Sequence, residues 1–317
     1  MTNDISIIII NYNTADYTIN CLASIVKHTA SDLICEYIVV DNASAPANYY
    51  QLKKYVDSIS TKVNIQLVRS NINTGFGGGN MIGVQKATGK YLAFINNDVL
   101  FENDCISKLK HFMDENENVG VCGPQAFKED HGILPTIDHF ASPIREIFGR
   151  RILEFIDGKT YPKRKKIYSK PQRGQFVAGS FMFFRAEDFN KVGGFDTNIF
   201  LYYEETDICK RLIKLKKKAY LVPDGRFIHF HGASTPKSIA LKIELKLSLL
   251  YITRKHYGLL AYAIILLFLQ LKYAFSSLVK PKHWPLFLAL IKGAPLSMSL
   301  KHRQKIQPIQ LSNSGQK

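Results

Sequence analysis

Cysteine is scarce in this chain and unpaired. The five residues Cys21, Cys35, Cys105, Cys122 and Cys209 are scattered, odd in number and contain no C-x-x-C pair. A disulfide framework or a zinc site is not expected, and a reducing compartment fits. No basic n-region or cleavage site precedes the first apolar run, so no signal peptide is expected. No repeat recurs at solenoid or propeller periods. The glycine-rich stretch Gly75–Asn80 is not followed by Gly-Lys-Ser/Thr, which excludes a Walker A loop. It also comes after the third strand signal, not in the first βα turn where the dinucleotide fingerprint belongs. Acid is nearly missing from the last quarter. Residues 236–317 hold thirteen Lys/Arg and one acid, Glu244, so most of the +16 net charge of the 317-residue chain sits there. Tryptophan occurs once, at Trp284.

What is present is a large apolar fraction. With 46% hydrophobic and 21% charged residues, the chain has the composition of a folded protein with a substantial core. Four apolar runs stop abruptly at polar residues. Ile5–Ile10 ends in Asn11-Tyr12-Asn13, and Tyr37–Val40 in Asp41-Asn42-Ala43-Ser44. Ile65–Val68 leads into Arg69 and then Asn73-Thr74-Gly75-Phe76-Gly77-Gly78-Gly79-Asn80. Tyr91–Ile95 ends in Asn96-Asn97-Asp98. Helical spacing at Asp16–Lys27, Asn48–Ser58, Gly78–Ala87 and Cys105–Glu115 separates and follows these runs. Repeated β-α alternation predicts a parallel sheet, and its polar carboxyl edge is where open α/β sheets take ligands.

Residues 127–173 lose this rhythm. Within them Lys159–Arg173 carries seven basic residues and two prolines, a solvated loop or a flap over a pyrophosphate. Order returns with an apolar strand at Gln175–Arg185, containing Gly179 and Ser180, and a helix at Ala186–Val192. Another helix is expected at Thr206–Leu215, then strands at Ala219–Val222 and Arg226–Phe230. The tail from Pro236 has helical spacing over Ile239–His256 and an apolar run, Leu259–Leu271, shorter than the roughly 20 residues a spanning helix needs. Lysines beside short apolar runs suit a helix in a membrane interface; a helical hairpin packed on the core is the alternative. The apolar content argues against nucleic acid.

Three features carry chemistry. Asp98 closes the fourth strand, where a carboxylate can hold a divalent cation against a phosphate. Glu204 and Glu205, beside Tyr203 and ahead of Asp207, form an adjacent pair of the kind that raises a pKa toward general-base range; charge at a helix N-terminus is the plainer reading. His229 and His231 share one face of a strand, and imidazole can complete a cation site.

These motifs, in this order, resemble the inverting glycosyltransferase family 2, with the GT-A fold, and its rhamnosyltransferase-like branch. The resemblance covers residues 5–235. It implies an α/β catalytic domain over 1–235, with a Rossmann-like, mostly parallel sheet flanked by helices. Residues 1–125 would form its nucleotide-sugar half and 126–235 its acceptor and catalytic half, and 236–317 would be a helical, membrane-associating appendage. It implies that Asp41 contacts a pyrimidine base with Asn11, Asn13 and Asn42 nearby. Asn73, Gly75, Phe76, Asn80, Asn96 and Asn97 would line the donor pocket. Asp98 and His229 would hold Mg2+ or Mn2+, with Asn96 standing where the family's first metal-binding acid lies. Glu205 or Glu204 would be the base, and Gly179, Ser180, Tyr203, Asp207 and His231 would serve the acceptor side. The implied partners are a dTDP- or UDP-linked sugar, a glycan or polyprenyl-diphosphate acceptor in cell-surface polysaccharide assembly, and the anionic cytoplasmic face of a membrane. The Gln-x-x-Arg-Trp motif of processive synthases is missing. A sugar nucleotidyltransferase would carry a basic, glycine-rich N-terminal loop, and Ile5–Asn20 has no Gly, Arg or Lys. A membrane-docked binding protein without turnover is the non-enzymatic alternative. The central spatial expectation is that Asp98, Glu205 and His229 meet in one cleft.

Overall fold

The isoleucine run at the start of the chain forms the middle of the sheet. The computed structural model describes residues 3–230 and 238–308. Strand β1 (Ile5–Asn11) is followed by α1 (Ala15–His28), β2 (Cys35–Asn42), α2 (Pro46–Ile59), β3 (Ile65–Ser70), α3 (Gly75–Val84) and β4 (Tyr91–Asn96). β3, β2, β1 and β4 lie side by side and parallel, with Ile9 opposite both Val39 and Ile95. β1 is buried on both faces, as the central strand of a parallel sheet must be. Alternation divides its side chains: Ile5, Ile7 and Ile9 join α1, α2 and the later α4 in one core. Ile8 joins Phe94, Phe184 and Phe189 in the other.

The chain continues through β5 (Val99–Phe101), α4 (Cys105–Glu115) and β6 (Val119–Phe127). Then come β7 (Ile137–Asp138), α5 (Pro143–Phe148), α6 (Arg150–Ile156), β8 (Gln172–Gly174), β9 (Phe176–Val177) and β10 (Phe181–Arg185). α7 (Ala186–Lys191), α8 (Glu204–Lys214) and β11 (Lys218–His229) complete this part. The sheet order is β3-β2-β1-β4-β10-β6-β11-β5, with β8 on β11. β10 is antiparallel to both neighbours, and β5 and β8 are antiparallel to β11. The architecture is a GT-A-like, mostly parallel sheet between helical layers. All five cysteines are free.

Several elements differ from the sequence expectations. α3 begins at Gly75, not Gly78. The apolar run Gln175–Arg185 is two strands, because β9 leaves the main sheet to pair with β7 and the chain turns at Ala178–Ser180 before β10. β11 is one strand, with a register shift between Val222 and Arg226 where two were expected. α8 starts at Glu204, so the adjacent glutamates form its first turn. Two short helices, α5 and α6, lie in the region that lacked periodicity.

The tail forms α9 (Ile239–Val279) and α10 (Trp284–Ile291). α9 breaks at Gly258, whose φ of 84° is open to glycine. The break folds the helix back on itself. Lys242 Nζ lies 3.2 Å from His283 Nε2, and Ser276 Oγ lies 2.7 Å from the same ring's Nδ1. On a straight helix Lys242 and Ser276 would be about 50 Å apart. Leu247 and Leu250 of the first limb pack with Ile265 and Leu269 of the second and Leu286 of α10. The hairpin is thus the form the tail takes.

Candidate active site

The carboxyl ends of β1, β2 and β4 open into a cavity of about 870 Å3. The wall formed by β2 and the turn into α3 rests on Asn42. That side chain donates to Asn73 Oδ1 at 3.0 Å and Gly75 O at 3.1 Å and accepts from Thr74 N at 3.0 Å, which pins the turn into α3. Gly75 has φ 75°, and a Cβ there would stand 2.1 Å from Phe200 O. Only glycine lets Phe76 N reach that same oxygen at 2.9 Å. Asn42, Asn73, Gly75, Phe76 and Asn80 all line the cavity. The rest of the glycine run serves helix packing: a Cβ on Gly79 would meet Ile10, and one on Gly83 would meet Ile8.

Asp41 and Asn11 are fully buried. Asp41 accepts from Asn11 Nδ2 at 2.9 Å, from Ser44 N at 3.2 Å and from the Arg69 guanidinium. Arg69 also donates to Ser44 O and to Gln307 O, both at 3.0 Å, so the C-terminal strap reaches this edge. Asn13 adopts φ 58° and its Oδ1 accepts from Ala45 N. None of Asn11, Asn13 and Asp41 is among the cavity-lining residues; Tyr12 and Thr14 are.

At the end of β4, Asn96 and Asn97 line the cavity, and Asn97 donates to Thr14 and Thr18 of the α1 start. Asp98 Oδ1 lies 3.2 Å from His229 Nε2, at the end of β11. Phe230 N donates to Asp98 O at 3.0 Å. This antiparallel meeting of β5 and β11 joins residues far apart in sequence. His231 lies outside the described residues.

Glu204 and Glu205 enter from the far wall. Tyr202 and Tyr203 have φ of 75° and 71°, consecutive left-handed residues that turn the chain sharply into α8. Such conformations persist only where the surroundings enforce them. Glu204 is buried, and among the described residues its Oε1 has no hydrogen-bond partner. Burial first, and the Glu205 charge second, push its pKa well above the ordinary carboxylate range. Glu205 is pushed up to about 7, mainly by burial, with the Asp138 charge adding to the rise and Arg145 opposing it. A Cβ on Gly179 would stand 4.0 Å from Glu205 Oε2 and 3.8 Å from the Phe76 ring, so the glycine keeps the space above the carboxylate open. Ser180 lines the same wall.

Asp207 sits elsewhere. One turn into α8, it is fully buried against Arg211, Lys255 and His256, at 2.6, 2.6 and 2.7 Å. Burial alone would raise its pKa, yet His256, Arg211 and Lys255 hold it well below the ordinary range. It anchors the first limb of α9. Tyr203 also points away, sharing a cluster with that limb. Sequence reasoning missed Asp138, Arg150 and Arg164, which line the cavity as an ion-pair group, with Asp138 bonded to Arg150 at 2.9 Å and to Arg164 at 3.2 Å. Their signal was hidden in a segment without periodicity. It also missed Leu300 and Gln304, contributed by the strap. Glu244, the tail's single acid, fixes that strap by accepting from Ser299 Oγ and Leu300 N, both at 2.8 Å.

Among the described residues no group of three or more His, Cys, Asp or Glu side chains could enclose a metal ion. The nearest carboxylate–imidazole pair is Asp98 and His229; His229 lines the cavity, while Asp98 is buried behind it and is not among the lining residues. That pair fits a cation which takes its remaining ligands from phosphate oxygens and water, as Mg2+ and related ions at nucleotide sites do.

The family model for glycosyl transferase family 2 matches residues 6–193. A GT-A glycosyltransferase fold is thereby joined to a sequence family, and the chain belongs to glycosyltransferase family 2. It is a glycosyltransferase. It is 28% identical over 250 residues to the rhamnosyltransferase WbbL of Escherichia coli, covering 73% of this chain and 92% of that one. It is 24% identical to the dTDP-rhamnosyl transferase RfbF of Shigella flexneri, over 77% and 75% of the two chains. Among solved structures, the mannosyltransferase PcManGT of Pyrobaculum calidifontis, in complex with GDP-Man and Mn2+, superposes with a TM-score of 0.55 at 15% identity, over 94% of this chain and 87% of that one. GalNAc-T7, crystallised with UDP, GalNAc and Mn2+, gives 0.56 at 15% identity; the match covers 78% of this chain and about half, 49%, of that one.

Proposed function

We propose that this glycosyltransferase moves one hexose or deoxyhexose, with rhamnose the leading candidate, from a nucleotide diphosphate to a hydroxyl of a glycan or lipid-linked acceptor. The rhamnosyltransferase names of the relatives support the sugar, and a dTDP- or UDP-linked donor follows from it. The observation that carries the mechanism is the half-buried Glu205, with its pKa pushed up to about 7, lining the same cavity as Asn96 and His229. A carboxylate tuned to that range is poised to accept a proton near neutral pH. Glu205 takes the acceptor hydroxyl proton as that oxygen bonds the anomeric carbon. The bond from that carbon to the diphosphate breaks on the opposite face, and the configuration inverts. Burial and the Glu205 charge raise the Glu204 pKa, so of the adjacent pair Glu205 is the readier to carry the charge. A divalent cation, Mg2+ or Mn2+, held by Asp98 and His229 would neutralise the departing diphosphate. Asn42 and Gly75 orient the donor through the turn they fix, which lowers the entropic cost of bringing two substrates into register.

The enzyme works, in this reading, at the cytoplasmic face of an anionic membrane. α9 carries a stretch long and apolar enough to cross a bilayer by length and composition, and little of it is buried. The hairpin at Gly258 makes an interfacial position the better fit, with Leu260, Leu271 and Phe275 outward and Lys272, Lys280 and Lys282 nearby. Each lysine near such a surface contributes about 1 kcal/mol. A thermal-shift screen of nucleotide sugars with Mn2+, followed by acceptor-dependent turnover with the best binder, tests the proposal. Stabilisation by dTDP-rhamnose followed by release of dTDP is the expected result. No stabilisation by any nucleotide sugar would refute it.

A further inference from the structure

α5 is built inside out. A helix on a soluble protein buries its apolar stripe and exposes its charges. α5 buries Arg145, which donates to His139 O at 2.6 Å and lies 6.0 Å over the Tyr203 ring. It exposes Ile144, Ile147 and Phe148. α6 continues the pattern after Gly149. Leu153 is buried, while Ile152, Phe155 and Ile156 are exposed, Phe155 to 90% and Ile156 to 71%. These are spaced i, i+3, i+4 and form one outward ridge on each short helix. Scattered apolar side chains need no explanation, but a contiguous ridge of this kind marks an interaction surface.

Charge identifies the occupant. Arg151, Lys159, Lys163, Lys165 and Lys166 are all exposed in the twenty residues around and after the ridge. The helix that carries the first part of the ridge is also docked on the tail. α5 packs against α9, and Lys246 on the first limb feels the charges of both Glu146 on α5 and Lys272 on the second limb. An apolar ridge rimmed by cations, on a helix that packs against the apolar tail, matches an anionic lipid bilayer.

We infer that the α5–α6 elbow is a second membrane-inserting element, and that together with the outer limb of α9 it sets the enzyme's orientation on the bilayer. Because Arg150 at the start of α6 and Arg164 beyond it line the cavity, this orientation turns that wall of the cavity toward the lipid. The Lys159–Arg173 segment then belongs to the membrane contact. The inference extends the membrane reading above and is tested apart from it.

The full-length protein is sedimented with vesicles of phosphatidylglycerol and phosphatidylcholine, and with phosphatidylcholine alone. Phe155→Glu/Ile156→Glu is expected to weaken partition onto the anionic vesicles about tenfold or more, while donor turnover with a water-soluble acceptor is unchanged. Leu260→Glu/Leu271→Glu in the tail should weaken it separately. If the elbow variant sediments like the wild type, the inference is overturned. It is equally overturned if that variant instead abolishes a concentration-dependent dimer, since the ridge would then join two copies. Loss of turnover in the wild type would count against the proposed reaction, not the elbow. A gentler second measurement covers a misfolded variant: Phe155→Trp in a Trp284→Phe background should shift its emission to the blue with anionic vesicles. An unshifted spectrum overturns the inference.

Discussion

The two walls of the cavity are built on opposite principles. On the side proposed to take the nucleotide the polar groups are densely paired. Asp41 accepts from Asn11, Ser44 and Arg69, Asn42 makes four bonds, and Asn97 is held by Thr14 and Thr18. On the catalytic side the chain passes through two consecutive left-handed tyrosines into a buried carboxylate whose Oε1 is unpartnered. The first wall is rigid and prepaid by hydrogen bonds, and suits recognition. The second stores strain and unfavourable charge, the condition that shifts a pKa and suits proton transfer.

If that contrast is right, substitutions on the catalytic wall should damage turnover more than binding. Glu205→Gln has the largest expected effect, about a 10^3-fold loss of kcat with donor affinity retained, read by steady-state kinetics and donor titration. An equal loss of affinity would erase the distinction between the walls. Asp98→Asn or His229→Ala should come next, raising the Mn2+ concentration needed for half-maximal activity about 10- to 100-fold. Lys255→Met removes a partner of the buried Asp207 and loosens the limb that braces α8. It should cost about 2 kcal/mol of stability in a denaturant melt, with a smaller fall in kcat.

The last prediction concerns pH. In the proposed reaction Glu205 accepts a proton only when ionised, so kcat/KM should fall tenfold per unit as pH drops below about 7. Glu204 gives the complementary signature. Its folded pKa is raised, so above the unfolded carboxylate value the folded chain holds a proton that the unfolded chain has lost. Stability therefore declines as pH rises from about 4.5 toward that raised pKa. Glu204→Gln removes that contribution and should flatten the fall in Tm between pH 5 and 8.

The parallel half of the molecule was legible because its signals are local. Ile5–Asn11, Cys35–Asn42 and Tyr91–Asn96 each announce a buried strand by composition and its end by a change to amides and acids. Elements whose form depends on distant partners were harder to read. Ala178–Ser180 interrupts an apolar run only because β9 has β7 to pair with. The α8 start at Glu204 depends on the φ of Tyr202 and Tyr203, which no local preference of tyrosine favours. Asp207 carried the same motif as Glu205 yet turns to Lys255 and His256, because successive residues on a helix point about 100° apart.

By itself the sequence determined the β-α order, the polar carboxyl edge and the cationic tail, all of which follow from periodicity and composition along a few neighbouring residues. Only the tertiary structure decided that Asp98 meets His229, that Glu205 and not Asp207 faces the cavity, and that α9 doubles back at Gly258 so its strap reaches Arg69. Those outcomes depend on contacts between residues up to 238 positions apart. Burial and charge at such meetings are properties of the packed whole, which no window of the chain contains.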